Sequence, residues 1–124
     1  MFSGKDLLTE YLISNTLAPA ARTSSGNGTG IDLADTGPEL FAFLNNGTTS
    51  GTTPTLDVKL QESSDNSTFT DITGATFTQL TAAGNEVIRV ANRTKRYVRA
   101  ATTIAGTSPS FACAVTLIAP KCSY

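Results

Sequence analysis

The stretch LDVKLQESSDNSTFTDI, residues 56–72, decides the fold class. Leu56, Val58 and Leu60 alternate with Asp57, Lys59 and Gln61. That two-residue period belongs to a strand with one face in a core and the other in water. Ser64-Asp65-Asn66-Ser67 follows as a tight connection, because Asp and Asn bond their own backbone and tolerate left-handed φ values. Residues 68–72 then return as a second strand.

Working outward, the same pattern of short β-branched and aromatic runs between turn signals predicts further strands at 39–46, 75–80, 85–91, 95–104 and 109–119, with a short one near 29–34. In the last long run Phe111, Cys113, Val115 and Leu117 share one face, and Ala112, Ala114 and Thr116 the other. Ile88 and Val90 oppose Val87 and Arg89 in the same way. Asn46-Gly47 opens an expected polar loop through Pro54, and turns are expected at Ala83-Gly84-Asn85, Asn92-Arg93-Thr94 and Gly106-Thr107-Ser108-Pro109. The expected fold is all-β, an antiparallel sandwich or barrel.

The opening of the chain reads differently. Residues 4–14 suit either a short amphipathic helix, with Leu7, Leu8, Tyr11 and Leu12 on one face, or an extended arm. Residues 23–30, TSSGNGTG, have linker composition. The expected organisation is an N-terminal arm and flexible linker over 1–30 and a β-domain, a β-sandwich if not a barrel, over 31–124. No internal repeat of solenoid length is present.

A chain of 124 residues fits one domain. Its net charge of −1 provides no general attraction to nucleic acid or to an anionic membrane. No apolar run approaches the ~20 residues of a membrane helix, and no long apolar segment follows Lys5 as in a secretion signal. The expectation is a chain made and used inside a cell, with no membrane partner. Four N-x-[ST] sequons, beginning at Asn27, Asn46, Asn66 and Asn92, are chance matches expected of a Thr- and Ser-rich sequence. Cys113 is in phase with the buried face. Cys122 follows more than 20 Å away if the strand is extended at ~3.3 Å per residue, too far for an internal disulfide.

The chemistry is sparse. With no histidine, the usual general base and metal ligand is missing, and the two cysteines lack paired zinc spacing. No phosphate-binding glycine motif and no nucleophile elbow occur. Asp57, Glu62, Asp65 and Asp71 could be considered as a glycosidase pair or a calcium site, but hairpin chemistry alone explains them. No enzyme activity and no cofactor are expected.

Two features remain. Arg89, Arg93, Lys95, Arg96 and Arg99 place five of the nine basic residues within eleven positions. They could meet nucleic acid, an acidic protein surface or only solvent; a single aromatic among them, Tyr97, is thin for base stacking, and no nucleic-acid partner is expected. Leu40-Phe41-Ala42-Phe43-Leu44 is apolar on both faces, so one face must be covered by the second sheet, by the N-terminal segment or by a subunit.

The runs LDVKLQESSDNSTFTDI (56–72) and KRYVRAATTIAGTSPSFACAVTLIA (95–119), with TSSGNGTGIDL (23–33) after a short arm, resemble the small cement or decoration proteins of tailed-phage capsids, of the Bordetella phage type. The S-x-D-N/G-x-T-F/W-T hairpin alone also occurs in galactose-binding-like jelly rolls; its combination with K-R-Y-V-R and G-T-S-P-S-F favours the phage family. The polar loop 46–54 and the tail KCSY (121–124) depart from that family's pattern. The resemblance implies a jelly-roll-like sandwich that forms a dimer or trimer with copies of itself. It would bind the major capsid protein on the capsid exterior of the virion, after assembly in the host cytoplasm. Arg93, Lys95, Arg96 and Arg99 would make polar contacts with acidic capsid loops, and Leu7, Leu8, Tyr11, Leu12, Phe41 and Phe43 apolar ones. The alternative is a carbohydrate-binding or tail-associated β-sandwich module, against which the absence of tryptophan counts.

Overall fold

The structure, a computed structural model, describes residues 11–121. Among these are seven strands: β1 (Tyr11–Arg22), β2 (Gly26–Asn27), β3 (Ile31–Asp32), β4 (Leu40–Ser63), β5 (Thr70–Thr76), β6 (Gly84–Val90) and β7 (Tyr97–Pro120). All pairings are antiparallel. The all-β expectation holds, and the pairing order makes a sandwich of two sheets, each four strands across. The C-terminal half of β7 lies between β1 and the N-terminal half of β4, whose far edge carries β6. We call this sheet I. The N-terminal half of β7 lies between β2 and β3 on one side and the C-terminal half of β4 on the other, with β5 beyond. This is sheet II.

The inward faces follow the alternation in the sequence. Leu40, Ala42 and Leu44 with Cys113, Val115 and Leu117 come from sheet I; Leu56, Val58 and Leu60 with Val98 and Ala100 come from sheet II; together they form one buried cluster. Each large member contributes on the order of 1.5–3 kcal/mol by leaving water.

The main departure from expectation lies at the two sandwich corners. The expected loop after Asn46 and the expected turn at Gly106–Pro109 do not separate strands. β4 and β7 run straight through them, 24 residues each, and stay paired across the corner (Thr49 with Phe111, Thr52 with Thr107, Thr55 with Ala105). The bend is taken up by register shifts on either side of Thr52. It is also taken up by four residues with positive φ: Gly51 (110°), Thr53 (48°), Gly106 (118°) and Ser108 (49°). These belong to two matching tetrapeptides, Gly51-Thr52-Thr53-Pro54 and Gly106-Thr107-Ser108-Pro109, which cross each other with a local two-fold relation. Extended over the chain, that relation pairs β4 with β7, β1 with β5, and sheet I with sheet II.

The N-terminal stretch also differs. Residues 11–22, expected within the arm, form the edge strand of sheet I, so the extended alternative holds for its described part rather than the helix. The linker-like residues 23–30 are tied down by the short β2 pairing and by Thr16. The Thr16 hydroxyl donates to the Thr29 carbonyl at 2.6 Å and accepts from the Ala100 amide at 3.0 Å. Composition reports the lack of a side-chain core there; it does not register backbone partners supplied from distant strands. The two short strands expected at 68–72 and 75–80 become β5 and an irregular continuation, in which Leu80 bridges Leu56.

Candidate interaction surfaces

The basic cluster is the first candidate, and its four arginines are engaged within the molecule. Arg96 grips Asp32 through two parallel bonds of 2.8 and 2.7 Å, and its guanidinium lies 5.2 Å from the Tyr97 ring centre. The Arg96 hydrogen bonds, with help from the Ala34 amide, hold the Asp32 carboxyl down at about 2. Arg89 pairs with Glu39. Arg99 donates to the Gln61 side chain at 3.0 Å and covers the Phe69 ring at 4.0 Å. Half-buried Arg93 donates at 2.6 Å to the carbonyls of both Lys95 and Gly37, and at 3.1 Å to the Thr36 hydroxyl. Lys95 sits in the same connection, its amide donating to Glu62 at 3.2 Å. Arg93 is thus an internal tie of the connection between β6 and β7, while Arg96 and Arg99 lie in side-chain networks on the surface of sheet II. The arginine density in the sequence did not become a free cationic patch, because partners from 38 to 64 positions away engage each arginine.

The four carboxylates are likewise occupied. Asp57 accepts from Gln79, Asp71 from Lys59 and Gln61, and Glu62 from the Thr94 and Lys95 amides and the Thr94 hydroxyl. Asp65 organises its hairpin as the sequence anticipates. It accepts from the Thr68 and Ser67 amides at 2.9 Å and from the Ser63 hydroxyl at 2.8 Å, next to Asn66 at φ 59°. Those bonds, the Thr68 amide first, hold its carboxyl down at about 2. Among the described residues no group of three or more Cys, Asp or Glu side chains is arranged to hold a metal.

The outer face of sheet I is the second candidate. The register sets Ile13 beside Ile118 and Ile118 beside Phe41; one step along, Thr116 lies beside Phe43 and Phe43 beside Val87. Ile13, Phe43 and Val87 are 44%, 41% and 51% exposed, the exposed large hydrophobic side chains among the described residues, while Phe41 and Ile118 are half-buried. Phe43, Val87 and Ile118 wall a shallow depression of about 610 Å³, edged by Asn45, Asn85 and Thr116. Of the apolar residues expected to make contacts, Phe41 and Phe43 lie on this face and Tyr11 at its margin opposite Pro120. Leu12 turns inward against the core, and Leu7 and Leu8 lie outside the described residues. Ile13, Val87 and Ile118 were not singled out from sequence. Alternation did place Val87 opposite the buried side of β6, and the register brings it next to Phe43.

The matching face of sheet II is of another kind. Where β7 carries Ala112, Ala114 and Thr116 outward in sheet I, the equivalent half of β4 carries Asp57, Lys59 and Gln61, bonded to Gln79, Asp71 and Arg99. One face is dressed for water and the other is not.

No protein-family model matches this sequence, and neither does any curated protein. Among solved structures, the fold is similar to the PBSX exported protein XepA, with a TM-score of 0.62 and 18% identity over 91% of this chain and 38% of that one. It is also similar to a chain in the structure of infectious bursal disease virus, Gx strain, with a TM-score of 0.54 and 10% identity over 89% of this chain and 31% of that one. A third likeness, to a Bacillus endospore appendage that forms disulfide-linked pili, has a TM-score of 0.49 and 8% identity over 92% and 90% of the two chains. This chain therefore spans less than two-fifths of the length of the first two structures. At these identities the likeness is one of fold.

Proposed function

We propose that this chain is a structural protein of a bacteriophage particle, a cement protein that binds the outside of the head and strengthens contacts between major capsid subunits. The observation that carries the reading is the contrast between the two outer faces. A sandwich that solvates sheet II with a hydrogen-bonded charged network but leaves Ile13, Phe43 and Val87 bare on sheet I has a surface suited to cover by protein. The resemblance of residues 56–72 and 95–119 to phage cement proteins supports it, as does the fold-level likeness to a virus structure.

Physically, such a protein needs no reaction. A stiff body that binds only the assembled, expanded lattice adds its binding free energy to that state alone. Many copies on one shell make modest contacts sufficient. The weight of the contact falls on the Phe41 and Phe43 face rather than on Arg93, Arg96 and Arg99. Those cations would have to give up partners they already hold, which cancels much of the gain. The sugar-binding alternative loses ground for a similar reason: Arg96 and Arg99 lie against Tyr97 and Phe69, two rings that a sugar would need bare.

The test is co-sedimentation of the purified chain with expanded heads of a tailed phage that encodes it, together with thermal disruption of those heads. Saturable binding and a raised disruption temperature are expected. Absence of binding to expanded heads, or binding confined to a glycan array, would overturn the reading.

A further inference from the structure

We infer that the open edge of β6 is completed by an added strand, an extended segment of a capsid subunit that prolongs sheet I beyond Val87. The inference rests on the cement reading for the identity of that partner; the edge and its chemistry belong to this chain alone.

The first ground is the contrast among the four sheet edges. An edge strand presents backbone N–H and C=O groups with which another chain can pair, and proteins commonly blunt such edges. β1, one edge of sheet I, carries Pro19 and two register shifts, between Asn15 and Leu17 and between Leu17 and Ala20. On sheet II, β2 and β3 are two residues each. β5, at the other edge of sheet II, has a register shift where it passes Lys59 and Gln61, and a positive φ of 79° at Gly74. β6 has none of these devices. Its seven residues, Gly84 to Val90, pair one for one with Asn46 to Leu40, without proline, shift or positive φ. Among the described residues β4 is its sole partner, so alternate residues turn roughly six to eight backbone groups to the open side.

The second ground is continuity with the apolar face. Asn85, Glu86 and Val87 of β6 line the depression of about 610 Å³ together with Phe43 and Ile118. A strand added beyond β6 would bring every second side chain to the same side of the sheet as Phe43 and Val87, about 4.8 Å further out. An extended segment therefore gains backbone bonds at the edge and apolar cover over Val87 at once. A helix set on the face would cover Phe43 and leave the edge groups to water.

The third ground is charge. Both charged side chains of β6 are held by partners within the molecule: Arg89 by Glu39, and Glu86 by the Thr78 amide at 2.7 Å and the Thr78 hydroxyl at 3.4 Å. No lysine lies on β6 to block an incoming strand. The complementary segment is accordingly uncharged where it meets Val87, with apolar side chains at alternate positions.

Hydrogen exchange of the full chain, alone and bound to expanded heads of a tailed phage that encodes it, tests the inference. In the free chain one alternate set of β6 amides, either Asn85, Val87 and Arg89 or Glu86, Ile88 and Val90, should exchange fast. On the heads that set should slow at least tenfold. Proline at whichever of Val87 and Ile88 belongs to the fast set removes one outward N–H. It should weaken head binding at least tenfold more than alanine at the same position, which keeps the N–H. Thermal melts show whether both variants are folded, and should the proline variant fail to fold, the exchange comparison decides alone. Slow exchange of every β6 amide in the free chain overturns the inference, as does head binding that leaves the fast set unprotected or that proline and alanine weaken alike. The cement reading survives each of these results. Protection of the fast set in the concentrated chain alone, lost on dilution, makes a second copy the occupant and overturns the inference too. Absence of head binding overturns the cement reading and this inference with it.

Discussion

Gly51 and Gly106 occupy equivalent places in the two long strands, each pressed against the backbone of the other strand's tetrapeptide. A methyl group on Gly51 would come within 2.7 Å of the Ser108 carbonyl oxygen and 2.8 Å of the Pro109 Cα. One on Gly106 would come within 2.8 Å of the Thr53 oxygen and 2.9 Å of the Pro54 Cα. Both have φ near +110° to +118°. This crossing lets one pair of strands serve both sheets, so each half of the sandwich is held by unbroken ladders rather than by loops.

Gly51→Ala and Gly106→Ala should therefore each destabilise the fold by about 2–3 kcal/mol, from the unfavourable φ together with contact on backbone that cannot rotate away. Gly26→Ala, with nothing within 4 Å of the added carbon, should be near neutral. Urea denaturation midpoints separate the two outcomes. Equal stability of all three variants would mean that the corner is not tightly crossed.

Thr16→Val tests how the N-terminal edge is attached. The Thr16 hydroxyl, on a residue only 2% exposed, serves the Thr29 carbonyl and the Ala100 amide at once. The isosteric valine leaves both backbone groups without that partner, at an expected total cost of about 2–4 kcal/mol. Amide exchange at Ala100 should rise with the loss, which a purely hydrophobic role for this position would not produce.

The strands and most of their inward faces were legible because alternation is local: Leu56, Val58 and Leu60, or Phe111, Cys113 and Val115, declare their phase within five residues. The corners were not. Glycine, threonine and proline are turn formers, and the pairing of Thr52 with Thr107 that keeps the ribbon intact spans the chain. A signal was present in the near-identity of GTTP and GTSP, which marks two segments bent in the same way. The candidate surface was half legible. Phe41 and Phe43 announced an uncovered face, but Ile13, Val87 and Ile118 join them only through strand order. The internal partners of the arginine cluster were hidden for the same reason, Asp32, Glu39 and Gln61 being distant in sequence.

Arg93 provides a direct check on that reassignment. Its fork spans the carbonyls of Gly37 and Lys95, a geometry that the single ammonium of lysine does not reproduce. Arg93→Lys should lose roughly 1–2 kcal/mol of stability. If Arg93 is an internal tie, head binding measured below the melting range should stay at the wild-type level. A binding loss without a stability loss would return Arg93 to the contact surface.

Acid should weaken the molecule through particular carboxylates. Asp32 and Asp65 have carboxyls lowered from an ordinary 3.8 to about 2, the first by Arg96 and the second by the Thr68 amide and its neighbours. Asp71 is lowered in the same direction by Gln61 and Lys59. A carboxyl that is more acidic in the folded chain than in the unfolded one favours folding when both states are ionised. Its contribution is thus fully present above about pH 4 and disappears as the pH falls towards 2. The chain has no histidine, the side chain whose ordinary value lies between pH 5 and 7. Denaturation midpoints should stay level from neutral pH to about 4 and then drop. Asp65→Asn, which keeps the shape of the turn but removes the titrating group, should be less stable than wild type at neutral pH and should show a shallower drop in acid. A parallel loss in both proteins down to pH 2 would mean that the Asp65 hairpin bonds are not formed in solution.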